Sequence, residues 1–558
     1  MTKFTNRLFL LFCLFVLSEK LIGQGLPAGY PVLEESQRRT QLIDHSFDSI
    51  AQSSFLQRNG FKFPNAEDGK SLKFGIVPFR TSIFLNSTRP YWYSPNGMIP
   101  AKGLQGYVSG GAFISHKYFS IDFQPEINVA QNSAYGGYQG TFDPDINFIF
   151  YQGLRRGDQP ETYGIGNYSR IGWGQSKVVG KLGAFEAGIS TRNLWWGPGQ
   201  WNALTFSNNA PGFAHAVIGT HRPAKTFFGS FEFQLISGFP KSKKYQPMQK
   251  ESLNAAVGQK SNRDRYLNAL TFSVSPKWIP GFSIGASRTV QTFADSVDVK
   301  TFIDVLPVFW GLTKQQVGSD LVGESDRGRD QQISVFFRYA IPKAGFEFYG
   351  EFGRRDHALN IRELTLNPEF ARAYLVGFNK VFQLSDARLI QVRGEMTQQS
   401  QSINRIIRAL YINSAGRPVL STTPWHTNGT IGGFTSWDQA MGVGVGMGSN
   451  VQMLEVSLVE GYNKLGIYLE RLPQHADFYD VGGLDAKGYE PWVDLTAGPV
   501  FDHRWKNLIF SGRMLFTYTG NYYWSQNAGP QDEFPQLNSK FSTSTQLNLI
   551  YLFNSKEK

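Results

Sequence analysis

The sequence predicts an all-β fold, an antiparallel transmembrane β-barrel of about 18 strands preceded by a short N-terminal helical segment in the periplasm. Apolar and polar side chains alternate in runs of about ten residues along most of the chain. Short and long connections between these runs follow one another in strict alternation. Aromatic residues make up 15% of the 558 residues and charged residues only 18%, which is typical of a barrel with aromatic belts at both membrane interfaces.

The alternation is well developed in the segment 119–129. Its apolar positions are Phe119, Ile121, Phe123, Ile127 and Val129, and its polar positions are Ser120, Asp122, Gln124, Glu126 and Asn128. In a transmembrane barrel one face of each strand meets lipid and the other meets the lumen, which requires a period of two residues. A soluble sandwich or propeller with one solvated face shows the same period. Alternation alone therefore leaves both folds open.

The lengths of the connections favour the membrane barrel. We expect strands near 73–85, 104–115, 118–130, 168–179, 182–191, 212–220, 226–238, 266–277, 281–293, 331–341, 345–355, 371–383, 387–397, 450–459, 464–472, 490–501, 506–519 and 541–553. We expect short turns at 116–117, 180–181, 221–225, 278–280, 342–344, 384–386, 460–463 and 502–505. Bacterial outer-membrane barrels have short periplasmic turns and long extracellular loops. The pattern predicts an integral outer-membrane protein with both termini in the periplasm and long loops at the cell surface.

The first residues have the composition of a secretory signal peptide. Lys3 and Arg7 precede the apolar run 8–17, and small or polar residues follow it. This run is too short to cross a bilayer as a helix, and no later stretch approaches the ~20 apolar residues that a crossing needs. The single cysteine, Cys13, lies in this leader. The mature chain should therefore contain no disulfide and no cysteine-ligated metal.

Residues between the leader and the first strand have a different spacing. The apolar positions Leu33, Leu42, Ile43, Ile50 and Phe55 are spaced as in short helices. We expect a periplasmic helical segment that covers or plugs the base of the barrel, with a disordered leader as the alternative. The expected boundaries are 1–24 for the signal peptide, 25–70 for the helical segment, 71–553 for the barrel and 554–558 for a polar tail.

The net charge of +11 favours acidic partners. In an exported barrel these are acidic capsular polysaccharide or exopolysaccharide and the phosphates of lipopolysaccharide in the outer-membrane lipid, whereas nucleic acid is not expected. The outward loop 239–265 carries a cluster of cations that includes Lys241, Lys243 and Lys244. Such a cluster attracts anionic polymers in a salt-dependent manner. Contact with lipopolysaccharide phosphate, or simple solvation of a charged loop, is the alternative.

An aromatic loop is the most distinctive feature of the sequence. Trp195-Trp196-Gly197-Pro198-Gly199-Gln200-Trp201 is followed by Ser207-Asn208-Asn209-Ala210-Pro211. Sugar rings stack on flat aromatic faces, and Asn side chains bind hydroxyls. Under the predicted topology this loop faces outward as a carbohydrate platform. The alternative is an interfacial belt with a folded-in loop that narrows the lumen.

A second aromatic group, Tyr522, Tyr523 and Trp524, falls in the last outward loop. These residues could extend the sugar-binding surface, with an aromatic girdle at the upper rim as the alternative. Trp92, which Tyr91 and Tyr93 flank in the first long loop, could likewise extend the sugar-binding surface or belong to the aromatic girdle.

The aromatic loop resembles the signature of the Wzi capsule assembly family, a W-W-G-P-G-x-W element followed by an S-N-N-A-P-like run. Further matches lie at 97–105, at Gln124-Pro125-Glu126 and in the glycine-rich segment 442–450. They resemble the branch found in Bacteroidota-type bacteria and extend from about Gly75 to the final strand. The sequence departs from the pattern at its end, where a polar tail follows the terminal aromatic residue Phe553, and it diverges in the long loops.

The resemblance implies an outer-membrane lectin that helps to hold capsular polysaccharide or exopolysaccharide at the cell surface. Under this hypothesis Trp195, Trp196 and Trp201 are the stacking candidates, and other components of polysaccharide export are a further expected class of partner. A channel or transporter that passes a solute through the lumen is the alternative function. Charges predicted to face the lumen and to pair across strands favour a plugged or narrow interior over an open pore. These charges are Arg338, Glu347, Glu351, Arg393 and Glu395.

The sequence gives little support for an enzyme. The eight histidines are scattered, with no H-E-x-x-H and no evident Ser/His/Asp arrangement. His426, His475 and Asp477 could meet at the outer rim, although a loop histidine with a structural partner is far more common than a catalytic one. We therefore expect no catalytic residue, no cofactor and no metal.

Overall fold

A computed structural model gives the fold. It describes residues 29–43, 72–258, 261, 263–311, 329–357, 365–366, 369, 371–400, 410–412, 418–420, 425–524 and 538–553. The predicted signal peptide 1–24 and the polar tail 554–558 lie outside these residues.

Within the described residues, eighteen antiparallel strands close into a single barrel, as predicted. The barrel closes where the first strand pairs with the last, with Phe79 opposite Tyr551 and Asn86 opposite Ser544. Three of the eighteen strands are interrupted and consist of two segments each: β3 with β4, β5 with β6, and β9 with β10. Pro125 separates β3 from β4, because proline lacks the N–H that the ladder needs.

The barrel segments have the following bounds: β1 Lys73–Asn86, β2 Gly103–Ser115, β3 Phe119–Phe123, β4 Glu126–Ala130, β5 Tyr168–Gly172, β6 Lys177–Leu182, β7 Phe185–Ser190, β8 His215–Thr220, β9 Ala224–Lys225, β10 Gly229–Gly238, β11 Arg265–Pro276, β12 Phe282–Phe293, β13 Asp330–Ile341, β14 Phe346–Arg355, β15 Arg372–Gln383, β16 Arg388–Gln398, β21 Asn450–Glu460, β22 Asn463–Pro473, β23 Val493–Trp505, β24 Leu508–Gly520 and β25 Lys540–Tyr551. Two small hairpins lie in the long connection between β16 and β21: β17 Leu410–Ile412 with β18 Pro418–Leu420, and β19 Thr435–Ser436 with β20 Gln439–Ala440.

Short turns occupy one rim of the barrel and long loops the other, which agrees with the predicted topology. One predicted turn is misplaced. The expected turn at 180–181 lies within a strand, because β6 continues to Leu182, which pairs with Phe185. The chain reverses at Gly183, whose φ of +63° provides the left-handed backbone that a two-residue hairpin needs.

The outer wall of the barrel is apolar and its inner wall is polar. In β3 and β4 the predicted inward residues Ser120, Asp122, Gln124, Glu126 and Asn128 are buried, and the predicted outward residues Ile121, Phe123, Ile127 and Val129 are exposed. The same alternation runs through β23, where Leu495 and Phe501 face outward while Asp494 and Asp502 face inward. A continuous belt of exposed apolar side chains is stable only against lipid. The protein is therefore an integral outer-membrane barrel.

Helix α1 (Pro31–Ile43) lies against the inner wall at the rim with the short turns. Pro31 is its first residue, a position where the missing N–H costs nothing, and Glu34 Oε1 accepts a hydrogen bond from Gly29 N at 3.1 Å. Leu33 packs among apolar residues of the first and last strands. The helix that the apolar spacing predicted is thus present, while the rest of the predicted segment 25–70, namely residues 25–28 and 44–70, lies outside the described residues.

The other helices lie in the long loops: α2 Pro144–Gly157, α3 Glu251–Val257, α4 Phe302–Val305 and α5 Ala476–Val481. In the described part of the chain, no helix has the length and apolar character needed to cross a membrane.

Candidate functional site

The loop that contains W-W-G-P-G-Q-W lies inside the barrel rather than on its outer surface. Trp196 is 1% exposed and Trp201 is 8% exposed, and Trp195 is half-buried. The Trp196 ring packs edge-on against Phe206, with 4.7 Å between the ring centroids, and its Nε1 donates to Gln234 Oε1 in the barrel wall at 2.8 Å. The prediction that this loop faces outward as a stacking platform is therefore wrong, and the loop folds into the lumen.

Two carboxylates of the inner wall hold this loop through its backbone. Glu395 accepts hydrogen bonds from Trp201 N at 3.2 Å and from Asn202 N at 2.8 Å, and Glu351 accepts one from Leu204 N at 3.1 Å. In the described structure these two carboxylates therefore bind the loop rather than the cross-strand cations that we expected. These hydrogen bonds give the buried backbone N–H groups of the loop acceptors in the wall, and they fix the loop in its inward position.

The remaining lumen charges pair across strands as predicted. Arg338 contacts Glu347 at 2.5 Å, and Arg393 contacts Glu455 at 2.7 Å. Helix α1 joins this network, because its Arg38 contacts Glu347 at 3.0 Å. Arg38 also donates to the carbonyl of Pro198 in the aromatic loop at 2.8 Å. The helix, the loop and the wall thus form one polar interior.

The two asparagines after the aromatic loop have different surroundings. Asn208 is buried, and its Nδ2 donates to Asn96 Oδ1 at 2.8 Å, which joins this loop to the first long loop. Asn209 donates to the carbonyl of Ala440 at 2.8 Å and lines a cavity at the outer end of the barrel. Of the two, only Asn209 is placed to meet a ligand from outside.

The lysine cluster is exposed, as predicted. Lys241, Lys243 and Lys244 follow the outer end of β10 and are all exposed. A neighbouring hairpin holds this stretch in place, since the Asp438 carboxylate accepts hydrogen bonds from Ser242 Oγ at 2.6 Å and from Lys243 N at 2.8 Å. The lysine side chains therefore project from a fixed backbone.

The aromatic group after β24 is mostly buried. Tyr522 is 4% exposed and Trp524 is fully buried, and the Trp524 ring packs on Phe478 with 4.8 Å between centroids. The expectation that all three residues extend an exposed surface is wrong, because they form the core of the packed outer loops. Tyr523 alone lines the outer cavity.

The outer cavity, of about 170 Å³, lies among the long loops at the cell-surface end of the barrel. Its aromatic lining residues are Tyr91, Trp92, Tyr135, Tyr163, Trp492 and Tyr523. Its polar lining residues are Arg89, Gln159, Glu161, Asn209, Gln439, Gln474, His475 and Asp494. Helix α2 forms part of the wall through Phe150 and Leu154. Aromatic surfaces combined with a few convergent polar groups are the usual lining of a small-molecule site.

Hydrogen bonds fix the polar groups of the cavity. Tyr523 donates to Glu161 Oε1 at 2.7 Å, while burial and the Glu161 charge raise the pKa of the Tyr523 phenol well above its usual value. The phenol therefore stays protonated at neutral pH. The Trp492 ring packs against the Tyr523 ring, with 4.7 Å between centroids, and Trp492 donates to the Asp494 carboxylate at 3.2 Å. Arg89 contacts the same carboxylate at 2.6 Å. One arginine and two carboxylates give these groups a net charge of about −1.

The two outer-rim histidines are structural. Burial lowers the pKa of His475 to about 4, and its ring packs among Phe150, Trp492 and Trp524. Burial, with a contribution from the Arg355 charge, lowers the pKa of His426 to about 3. Both imidazoles are neutral at physiological pH, and neither contributes to the charge of the site.

Metal binding has no support in the part of the chain that the structure describes. Among those residues, no group of three or more His, Cys, Asp or Glu side chains could hold a metal ion.

A family model of the capsule assembly protein Wzi matches residues 89–414, more than half of the chain. The chain belongs to the Wzi family. The resemblance carried by the W-W-G-P-G-Q-W loop is thereby confirmed. Among functionally curated proteins no sequence matches this chain.

Two solved structures illustrate what this Wzi-family chain is similar to. Wzi of Escherichia coli, described as an outer-membrane protein involved in group 1 capsule assembly and as a carbohydrate-binding β-barrel, aligns with a TM-score of 0.53 at 11% identity. The alignment covers 95% of this chain and 100% of that chain. OccAB4 of Acinetobacter baumannii aligns with a TM-score of 0.39 at 7% identity, over 87% of this chain and 98% of that chain.

Sequence analysis missed most of the residues that line the cavity of this Wzi-family barrel. Glu161 lies in the long loop between β4 and β5, whereas Trp492 and Asp494 lie more than three hundred positions later, directly before and within β23, so these residues form no motif. Trp437 was also missed. In the structure, Lys243 Nζ lies 5.1 Å from the centroid of its ring. The tryptophans Trp92, Trp437 and Trp492 in other long loops were the one available signal, and only three-dimensional packing brings them to one end of the barrel.

Proposed function

We propose that this protein is a surface lectin of the outer membrane that binds capsular polysaccharide or exopolysaccharide during assembly of the capsule. The observation that carries the proposal is the outer cavity, where aromatic rings alternate with hydrogen-bonding side chains at the cell-surface end of a Wzi-family barrel. Aromatic faces bind the C–H surfaces of sugars, while amides and carboxylates bind their hydroxyls.

The cavity offers several hydrogen-bonding groups for hydroxyls. The amides of Asn209, Gln439 and Gln474 line it together with the carboxylates of Glu161 and Asp494. Gln159 adds a buried amide nitrogen that has no hydrogen-bond partner among the described residues. Buried polar groups normally have partners, so a ligand hydroxyl that reached this nitrogen would remove an unfavourable feature of the free protein.

The contents of the lumen argue against the channel alternative. Helix α1 fills the periplasmic end, and the loop of Trp196 and Trp201 fills the middle. The lumen cavity between them is small, about 110 Å³, and is lined by paired charges such as Arg393 and Glu455. We infer that helix α1 acts as a plug and that the protein retains polymer at the surface rather than passing a solute.

The partners follow from the charge of the outer surface. The exposed Lys241, Lys243 and Lys244 favour an acidic polymer. Lipopolysaccharide phosphates and other components of polysaccharide export are further proposed partners. We propose no catalytic role, because the His426 ring is buried and the half-buried His475 ring packs among Phe150, Trp492 and Trp524.

Binding to polysaccharide extracted from cells that carry this protein tests the proposal. Tyr523→Ala removes an aromatic face and the donor to Glu161, and we expect binding to weaken about tenfold, which corresponds to about 1.4 kcal/mol. Tyr118→Ala, at the periplasmic rim and 58% exposed, is the matched control and should bind like the wild type. Absence of binding by the wild-type barrel would refute the lectin function.

A further inference from the structure

The hairpin formed by β19 and β20 presents an unusual tip. Its two turn residues are Trp437, with φ +56°, and Asp438, with φ +60°. A two-residue turn with positive φ at both positions favours Asn-Gly or Gly-Gly, and for a bulky tryptophan this backbone conformation is strained. Strain of this kind persists where the surrounding structure imposes it, and it is concentrated at binding sites.

The strained turn places the Trp437 ring among cations. Lys243 Nζ lies 5.1 Å from the ring centroid, and the guanidinium of Arg170 lies 5.7 Å from it. Trp437 N also donates to the carbonyl of Lys241 at 2.6 Å. Trp437 is only half-buried, so the part of its side chain that these two cations leave uncovered is accessible beside the exposed lysines.

The position of Trp437 is over the mouth of the barrel and not on its lipid-facing side. Arg170 is a lumen-facing residue of β5, and it pairs with Glu126 of the inner wall at 2.7 Å. Lipopolysaccharide phosphates lie in the leaflet outside the wall. A partner that meets both Trp437 and Lys243 therefore comes from the cell-surface side, as a polymer does.

The negative charge of the hairpin tip is turned inward. Asp438 is fully buried, and its carboxylate is occupied by Ser242 Oγ and Lys243 N. The outer side of the tip is left with the exposed Lys241, Lys243 and Lys244. An aromatic face flanked by ammonium groups is suited to a sugar that carries an anionic group.

We propose that Trp437 and Lys243 form a subsite for a carboxylated sugar, such as a uronic acid unit, of the bound polymer. The proposal rests on the lectin function proposed above and names the chemical class of the ligand. The sugar ring packs against Trp437, and its carboxylate pairs with Lys243.

The subsite is continuous with the outer cavity. Tyr163 lines that cavity and donates to the carbonyl of Asp438 at 3.3 Å, and Gln439 follows the hairpin tip directly and also lines the cavity. The cavity carries a net negative charge from Glu161 and Asp494 against Arg89, so it disfavours a carboxylate. The arrangement assigns an uncharged sugar unit to the cavity and the acidic unit to Trp437 and Lys243.

The test compares capsular polysaccharide extracted from cells that carry this protein with the same polymer after chemical reduction of its carboxylates to alcohols. The wild-type barrel should bind the native polymer about tenfold more tightly than the reduced polymer, and added salt should weaken only the native interaction. Equal binding of the two polymers would overturn the acidic subsite and leave the lectin function intact. A native polymer that contains no carboxylates would give this same result. Binding of neither polymer would overturn both.

Substitutions at Lys243 and Trp437 test whether these two residues cause the difference in binding between the native and the reduced polymer. Lys243→Gln should remove most of the difference between the native and reduced polymers, whereas Lys225→Gln at the periplasmic rim should leave it unchanged. Trp437→Gly suits the left-handed backbone, so we expect an unchanged or higher unfolding midpoint together with weaker binding of the native polymer. A lower midpoint with unchanged binding would show that Trp437 is a structural residue and would contradict the proposal.

Discussion

The carboxylate of Glu395 in strand β16 accepts a hydrogen bond from the backbone N–H of Asn202 at 2.8 Å. This contact joins the barrel wall to the loop that fills the lumen, across 193 positions of sequence. Neighbouring N–H groups of the same loop, that of Trp201 among them, donate to the same carboxylate. Together with Glu351, which accepts a hydrogen bond from Leu204 N, this side chain holds a loop rich in tryptophan inside the barrel.

The first prediction concerns this carboxylate. Glu395→Ala leaves the buried N–H groups of Trp201 and Asn202 without an acceptor, and each such loss costs about 1–3 kcal/mol. We expect a clearly lower thermal unfolding midpoint, measured by the heat-dependent mobility of the barrel on gels. The matched control is Glu460→Ala, which removes a pair with Arg388 that is mostly exposed and worth about 0–1 kcal/mol. Equal midpoints for the two variants would contradict the anchoring role.

The second prediction concerns a glycine of the same loop. Gly197 has φ +117°, and a Cβ there would lie 2.7 Å from Glu351 Oε2. Gly183, in a periplasmic turn, also has a positive φ of +63°, but a Cβ there would meet nothing within 4 Å. Gly197→Ala should therefore lower stability by more than Gly183→Ala, for which we expect about 1–2 kcal/mol. Urea unfolding of the two variants in detergent measures the difference, and similar losses would show that the loop tolerates the side chain.

The third prediction is a loss of stability in acid. His426 and His475 have pKa values lowered to about 3 and about 4 by burial, whereas an unfolded histidine titrates near 6.5. Between these values the unfolded chain binds protons that the folded histidines do not bind. The free energy of unfolding is therefore not reduced by these histidines above about pH 6.5, and it decreases as the pH falls toward 4 and then 3. The unfolding midpoint should decrease between pH 7 and pH 4.

Replacement of the histidines isolates their part in this decrease. His426→Gln and His475→Gln should each make the midpoint less dependent on pH, even where the midpoint itself is lower. His116→Gln, in a periplasmic turn, is the control and should keep the wild-type dependence. A wild-type dependence in all three variants would assign the effect to other groups.

The fourth prediction concerns the lumen. Helix α1 and the loop of Trp196 fill the barrel interior, so we expect no steady ion conductance in planar bilayers. An open porin inserted in the same bilayers provides the positive control. A steady conductance whose selectivity changes in an Arg393→Gln variant would restore the channel interpretation.

The sequence predicted the barrel wall well because lipid and lumen impose a local rule on every strand. Ile127 and Glu126 are neighbours in sequence, and their opposite exposures follow directly from the period of two. The family likewise followed from a local motif around Trp196. The strand pattern and the family depend on residues that are close in sequence, so both could be predicted without a structure.

Whether a loop folds into the lumen or faces outward could not be predicted, because it depends on contacts between residues that are distant in sequence. Nothing near Trp201 in sequence reveals that Glu395 accepts hydrogen bonds from its loop. The candidate subsite at Trp437 depends on a left-handed backbone that Trp-Asp does not predict. Cavity residues such as Glu161 and Asp494 are more than three hundred positions apart and line one cavity only in the folded protein.

Hydroxyl-radical footprinting of the detergent-solubilised barrel, with and without polysaccharide extracted from cells that carry it, tests the central claim most directly. We predict that the polymer reduces oxidation of Trp437, Tyr523 and Trp92 at the outer end. Oxidation of Trp278 and Trp505, which lie at periplasmic turns and are 64% and 60% exposed, should remain unchanged. Unchanged oxidation at the outer end, or protection confined to the periplasmic turns, would contradict a carbohydrate site among the surface loops.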